Sequence, residues 1–245
     1  MTLYLALILA TFLLGLSKGG FSGLGMAAMP VVTLVAPPVQ AAAILLPIIM
    51  LQDLISLVAY RGRWDGRNLA CLLPGASVGI GLGYLFAAEV SQQAVLLSVG
   101  VISVAFGLSR LVMVRGVSAA RPRDPEPFRG FLCGAASGFT SMIAHAGGPP
   151  FQIFVMPQRL SRDAFVGTSV AYFAVVNLIK VPPFIALGQL DWQTLAISAR
   201  LAPVALASSW LGLVLVRRTS PERFFGIVNW LLVILGLKLI YDGVF

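Results

Sequence analysis

Charge is what this chain of 245 residues has least of. Only 11% of its residues are Asp, Glu, Lys or Arg, against 58% hydrophobic, and the mean hydropathy is +0.93. That balance cannot clothe a whole molecule in a water-facing surface, which excludes an ordinary soluble domain. Histidine occurs once, and cysteine twice, as Cys71 and Cys133 in apolar surroundings without CxxC spacing. No disulfide framework, no metal site and no cofactor is therefore expected. HExxH, a P-loop, a carboxylate dyad and a Cys/His pair at usable spacing are missing as well, so hydrolytic and nucleotide-driven chemistry lack their parts.

What is present is a series of apolar runs, at 3–17, 19–52, 68–88, 90–109, 130–158, 164–179, 201–216 and 224–237. Several reach the roughly 20 residues that cross a hydrocarbon core of about 30 Å, and shorter ones extend through a single ionisable residue. The chain reads as an all-α polytopic integral membrane protein, with the lipid bilayer as its first partner. The opening run has neither a basic n-region nor a cleavage-site pattern, and is expected to stay as a membrane element rather than be removed as a signal. A net charge of +8 would suit nucleic acid, but 13 of the 14 arginines lie within 61–67, 110–129, 159–162 and 217–223. Clustering of that kind marks cytoplasmic loops, and no nucleic-acid partner is expected.

The chain also resembles itself. Shifted by 123 positions, Gly15 meets Gly138, Gly25 meets Gly148 and Ala41 meets Ala164; at 129, Pro74 meets Pro203 and Gly83 meets Gly212. "RWDGRNLA" (63–70) and "LDWQTLA" (190–196) occupy corresponding junctions, with Trp64 and Trp192 read as interfacial anchors. Two homologous repeats are expected, 1–114 and 129–245, joined by a polar linker at 115–128. Each opens with a long apolar segment broken by glycine, at "SKGGFSGLG" (17–25) and "HAGGPP" (145–150). Two arms of about 15 residues, each roughly 22 Å long, would pass the midplane and return. The expected architecture per repeat is therefore a Gly-broken re-entrant hairpin plus three transmembrane helices. Hairpins that return put all four arginine loops on one face, whereas segments that cross once divide them 8 against 5. Returning hairpins make the repeats inverted and place both termini on the periplasmic side of a bacterial inner membrane.

Backbone groups freed at such breaks cannot face lipid, where each unsatisfied group costs several kcal/mol. Helix arms that begin at a break direct free N–H groups and positive dipole ends inward, toward where an anion would sit. The candidate substrate-binding residues are Ser17, Lys18, Gly19, Gly20 and Ser22 at the first break, and Thr140, Ser141, His145, Gly147 and Gly148 at the second. Thr168 and Asn177 are expected to line the same cavity, with Asp53, Lys180 and Arg200 in gating or coupling. Blander readings stand beside these: close helix packing for the glycines, a backbone carbonyl as partner for His145, a Lys18–Asp53 ion pair, and snorkelling for Arg200.

"GLSKGGFSGLGMAAMP" (15–30), "QAAAILLPIIMLQD" (40–53), "AHAGGPPFQ" (144–152) and "FVGTSVAYFAVVNLIK" (165–180) together resemble the sulfite exporter TauE/SafE family, over essentially the whole chain. The resemblance implies transport of sulfite, sulfonates or related anions across the bacterial inner membrane. The expected function is a secondary carrier or facilitator for a small anionic substrate, with one repeat moving against the other and a homo-oligomer left open. Export is the favoured direction, because an inside-negative potential drives anion exit by about 2.3 kcal/mol per charge per 100 mV. The alternatives are a membrane-embedded enzyme using His145 and a non-transporting scaffold. The scaffold would leave Lys18 and Asp53 without a role.

Overall fold

Proline and short polar side chains start the helices of this chain, and the residues of the computed structural model described here are 1–18, 24–89, 91–113, 124–215 and 222–244. Every regular element among them is helical. In chain order these are α1 (Thr2–Lys18), a 3-10 turn (Leu24–Ala27) running into α2 (Ala28–Thr33), α3 (Pro38–Ala59), α4 (Gly66–Glu89) and α5 (Gln92–Met113). Then come α6 (Pro127–Ala144), α7 (Gly148–Val155) with a 3-10 turn (Met156–Gln158), α8 (Arg162–Ala186), α9 (Trp192–Arg200), α10 (Ala202–Leu215) and α11 (Glu222–Val244). Pro38 and Pro127 open α3 and α6, where a missing N–H costs nothing. Ser161 caps α8 by accepting from the Ala164 amide at 3.3 Å, and Asp191 caps α9 by accepting from the Thr194 amide at 2.7 Å. That second bond holds the Asp191 carboxyl below the usual carboxylate range.

Among the described residues three helices, α3, α4 and α8, are long and apolar enough to cross a membrane, and α9 with α10 adds a fourth if the pair is taken as one span bent by 49°. The bend departs from the plain second span expected in the second half. Pro203 sits at the second position of α10, where its ring removes the amide that would have bonded back to Ala199. The second opening segment is broken at His145, as its glycines predict; the first segment's residues 19–23 lie outside the described residues. At eight residues α7 is about 12 Å long and cannot cross. Its end comes back beside the start of α6, so that Phe154, Pro157 and Gln158 share a surface cleft with Asp124, Glu126 and Arg129. In the first half, α1 likewise packs against the 3-10 turn and α2 that follow it. Most of the linker at 115–128 lies outside the described residues.

Four of the main helix pairs show how the chain is put together. Along α1 and α10, Tyr4 meets Arg200, Thr11 meets Ser208 and Gly15 meets Gly212, a parallel register. Between α4 and α6, Gly75 lies on Phe131, Gly79 on Ala135 and Gly83 on Met142, also parallel. By contrast, α5 and α11 run antiparallel, with Gly100 on Gly236 and Leu97 on Gly243. So do α3 and α8, where Asp53 meets Asn177 and Tyr60 packs with Val166. The loops then sort to two ends. Arg63 pairs with Asp163 at 2.6 Å, the Asp65 amide donates to Thr168 Oγ1 at 2.9 Å, and Asn68 and Gln158 exchange side-chain amide bonds at 2.9 and 2.7 Å. Arg61, Arg63, Arg67, Arg129, Arg159 and Arg162 thus share one end, while Gln40, Gln92, Gln189 and Asp191 cluster elsewhere, at the start of α3.

The seam between α4 and α6 is a backbone-to-backbone contact that only glycine permits. A Cβ on Gly79 would overlap the Ala135 carbonyl, whereas one on Gly81, two residues on, meets open space. Gly79→Ala is therefore expected to destabilise the detergent-solubilised protein by about 1–3 kcal/mol, as overpacking does. Gly81→Ala should leave the thermal melt unchanged or slightly raised. Equal melts for the two variants would remove the seam as a source of stability.

Candidate functional site

The second break is built at His145. There α6 ends with the Ala146 amide bonded to the Thr140 carbonyl at 3.2 Å and the His145 amide to the Ser141 carbonyl at 3.1 Å, a nested pair in which each bond spans one residue more than in a Schellman cap. Such a cap puts its turning residue in the left-handed region, normally a place for glycine, and His145 has φ 50°. The imidazole contacts account for its tolerance there. His145 Nε2 lies 2.9 Å from the Ala42 carbonyl of α3 and Nδ1 lies 2.7 Å from Lys180 Nζ of α8. A carbonyl can only accept, so Nε2 carries the proton and the Nδ1 lone pair accepts an N–H from Lys180. The ring also stacks on Phe184, centroids 6.4 Å apart.

Lys180 is wholly buried. Besides His145, it donates to the Ser141 carbonyl at 3.3 Å and to Ser141 Oγ at 3.2 Å. Beyond the turn, Ser137 Oγ donates to the Gly147 carbonyl at 2.6 Å and pins the tip to α6. Gly148, Pro149 and Pro150 then start α7. The prolines set its direction but carry no amide hydrogens, so only the Gly147 and Gly148 amides stay free to meet an anion. That is half of what a helix N-terminus ordinarily offers.

At the first break, Lys18 closes α1, and the ammonium suits the negative end of the helix dipole. It forms an ion pair with Asp53 of α3, which is 3% exposed. The second carboxylate oxygen of Asp53 accepts from Asn177 Nδ2 of α8 at 2.6 Å. Of the readings open for Asp53, the counter-ion to Lys18 is the one whose geometry is present. Ser17 Oγ donates to the Leu14 carbonyl at 2.8 Å. Gly19, Gly20 and Ser22 lie outside the described residues.

The two breaks share one cavity of about 110 Å³. From the first half come Ser17, Lys18, Gly25 and Met26; from the second, Ser141, His145, Gly148 and Gln152; and α8 closes a side with Ser169, Phe173 and Asn177. Asp53 and Lys180 stand one layer behind this wall, each held by residues that line it. Three candidates lie elsewhere. Thr140 Oγ1 donates back to the Ala136 carbonyl at 2.9 Å, and Thr168 Oγ1 ties the 60–68 loop to α8. Arg200 is exposed and donates to the Tyr4 hydroxyl at 3.0 Å. Sequence reasoning missed Gln152 and Ser169. Gln152 had a signal, being a lone amide in a long uncharged run, one turn beyond Gly148. Ser169 had none, because it differs from Thr168 only in which side of α8 it occupies.

A family model described as Sulfite exporter TauE/SafE matches residues 7–239, nearly the whole chain. Neither the curated proteins nor the solved structures give a match.

The Lys18–Asp53 pair yields a direct test. Asp53→Ala leaves an ammonium that is 12% exposed without its carboxylate, and breaking a buried pair from one side costs about 3–5 kcal/mol. Lys18→Met with Asp53→Leu removes both charges and should recover most of that loss. Thermal melts of the three proteins decide the matter; a single variant as stable as the double would show that the pair holds nothing together.

Proposed function

The chain belongs to the sulfite exporter TauE/SafE family, a family of membrane transporters, and from that premise we propose that the cavity between the two breaks is its substrate site. The protein is then a secondary carrier or facilitator for small anions, sulfite, sulfonates or related sulfur-containing or organic anions, working in export. One observation carries this reading. Two glycine-rich breaks about 120 residues apart in sequence meet at a cavity whose described wall holds an ammonium, three serine hydroxyls and a glycine amide, and no carboxylate. The nearest acid, Asp53, is turned to Lys18 and Asn177. A small oxyanion finds donors there and no repulsion.

The helix pairing supports two inverted repeats. Corresponding helices of the two halves, α3 with α8 and α5 with α11, pack on each other antiparallel, as a two-fold axis in the membrane plane requires. The same axis carries α1 on α10 into α6 on α4. With the arginine end in the cytoplasm, both termini are periplasmic in a bacterial inner membrane. Phe165, Val166 and Ser169 extend the cavity wall toward that arginine end, while Lys180 and Phe184 are buried further along α8. The arrangement suits an inward-facing state, from which one backbone-locked block, α1 with α10 or α4 with α6, tilts against the other to open the far side. The inside-negative potential supplies about 2.3 kcal/mol per charge per 100 mV for exit, without nucleotide.

Liposomes holding the purified protein should show saturable flux of labelled sulfite, and of some members of a sulfonate and carboxylate panel. Lys18→Ala should lower that flux roughly tenfold or more, the loss expected when a hydrogen bond to a charged group goes, and His145→Ala should also reduce it. Flux equal to that of protein-free liposomes across the whole panel would overturn the reading. For topology, a C-terminal phosphatase fusion should be active in the periplasm and a C-terminal fluorescent fusion dark. A bright fluorescent fusion would sink the inverted arrangement.

A further inference from the structure

The charges around the cavity do not cancel. Its titratable neighbours are Lys18 from α1, Asp53 from α3, His145 from α6 and Lys180 from α8. The segments 24–33 and 148–158 bring none, and residues 19–23 have no ionisable side chain. Lys18 and Asp53 neutralise each other. His145 is neutral, because its Nε2 hydrogen serves the Ala42 carbonyl and its Nδ1 lone pair faces Lys180. As an ammonium, Lys180 gives its three N–H groups to three acceptors, the Ser141 carbonyl, Ser141 Oγ and His145 Nδ1. Among the described residues no carboxylate bonds to Lys180; the two oxygens of Asp53 meet Lys18 and Asn177.

One positive charge is therefore left over, fully buried and separated from the cavity only by Ser141 and His145. A buried ion without a counter-charge is costly. A single negative charge in the cavity removes that cost. A second one would stand uncancelled in the same poorly screened surroundings, after giving up a larger hydration shell.

We infer that the cavity accepts singly charged anions and rejects doubly charged ones, with the buried Lys180 setting the limit through Ser141 and His145. The inference rests on the transport reading and names its substrate class: hydrogen sulfite rather than the sulfite dianion, and sulfonates rather than sulfate. Asp53 is the second determinant, because it alone keeps the total from reaching two.

The experiment uses full-length protein in liposomes, with flux into protein-free liposomes subtracted. Labelled sulfite and labelled methanesulfonate are followed from mildly acidic to mildly alkaline medium. Sulfite passes from monoanion to dianion within that range; methanesulfonate keeps one charge throughout. Sulfite flux should fall as the pH rises while methanesulfonate flux stays level. Sulfate should compete with methanesulfonate roughly tenfold or more weakly than unlabelled methanesulfonate does, the scale of one unmatched charge at a partly buried site. In Asp53→Asn, which adds a net positive charge while retaining an oxygen for Asn177, sulfate's disadvantage should narrow.

Equal competition by sulfate in the wild-type protein would overturn the charge limit. So would methanesulfonate flux that falls in parallel with sulfite, since a group on the protein would then be titrating. Both readouts need only the wild-type chain, so a poorly folding Asp53→Asn leaves them decisive. Absence of saturable flux for every anion would instead overturn the transport reading, and the charge limit with it.

Discussion

A helix broken inside a bilayer leaves polar backbone groups that lipid cannot satisfy, and in this protein the ammonium of Lys180 partners one of them and the imidazole that turns the chain. It bonds the Ser141 carbonyl in the last turn of α6 and the imidazole of His145 just beyond. It thereby supports a left-handed histidine at a position built for glycine. That histidine turns the chain, sets the start of α7 and places Gly148 in the cavity wall. Through the Ala42 carbonyl it also ties the turn to α3. One buried cation thus joins three helices and fixes the shape of the tip.

The charge that holds the tip is the same charge that the cavity has to balance. In a water-filled protein a lysine with no acid partner would be of little account, because solvent would screen it. Here it is wholly buried, and the nearby acid is held elsewhere by the Lys18–Asp53–Asn177 chain. Structural need and substrate preference meet in one side chain. A protein that satisfied the tip with a neutral donor would keep the fold and lose the positive field.

Glycine seams decide what is free to move. Where α6 lies on α4, and α1 on α10, backbones touch, and such contacts do not slide without opening voids. In the proposed cycle each parallel pair therefore moves as a block, although its two members come from different halves of the chain. The antiparallel pairs, α3 with α8 and α5 with α11, join the halves across the proposed axis. The pair α3 with α8 carries one side of the cavity wall and the Asp53–Asn177 bond, so relative motion of the blocks acts on the site directly.

Hydropathy, glycine and proline act locally, and what they govern was legible in the sequence: a helical membrane chain, breaks after Lys18 and at His145, polar residues gathered near those breaks, and arginines confined to loops. Residues that act by facing one way were not. Ser141 lines the cavity while its neighbour Thr140 bonds back along its own helix, and Ser169 lines it while Thr168 ties down a loop. Adjacent helical residues point about 100° apart, and the rotation of a helix about its axis is set by what packs against it. Lys180 and Arg200 read alike as lone cations in apolar helices. Packing buried the first against α6 and left the second at a bend beside Tyr4, where Pro203 breaks a span that hydropathy alone would have continued. The sequence by itself determined which residues were too polar for lipid; the tertiary structure decided which of them face each other, because that depends on contacts between segments more than 100 residues apart.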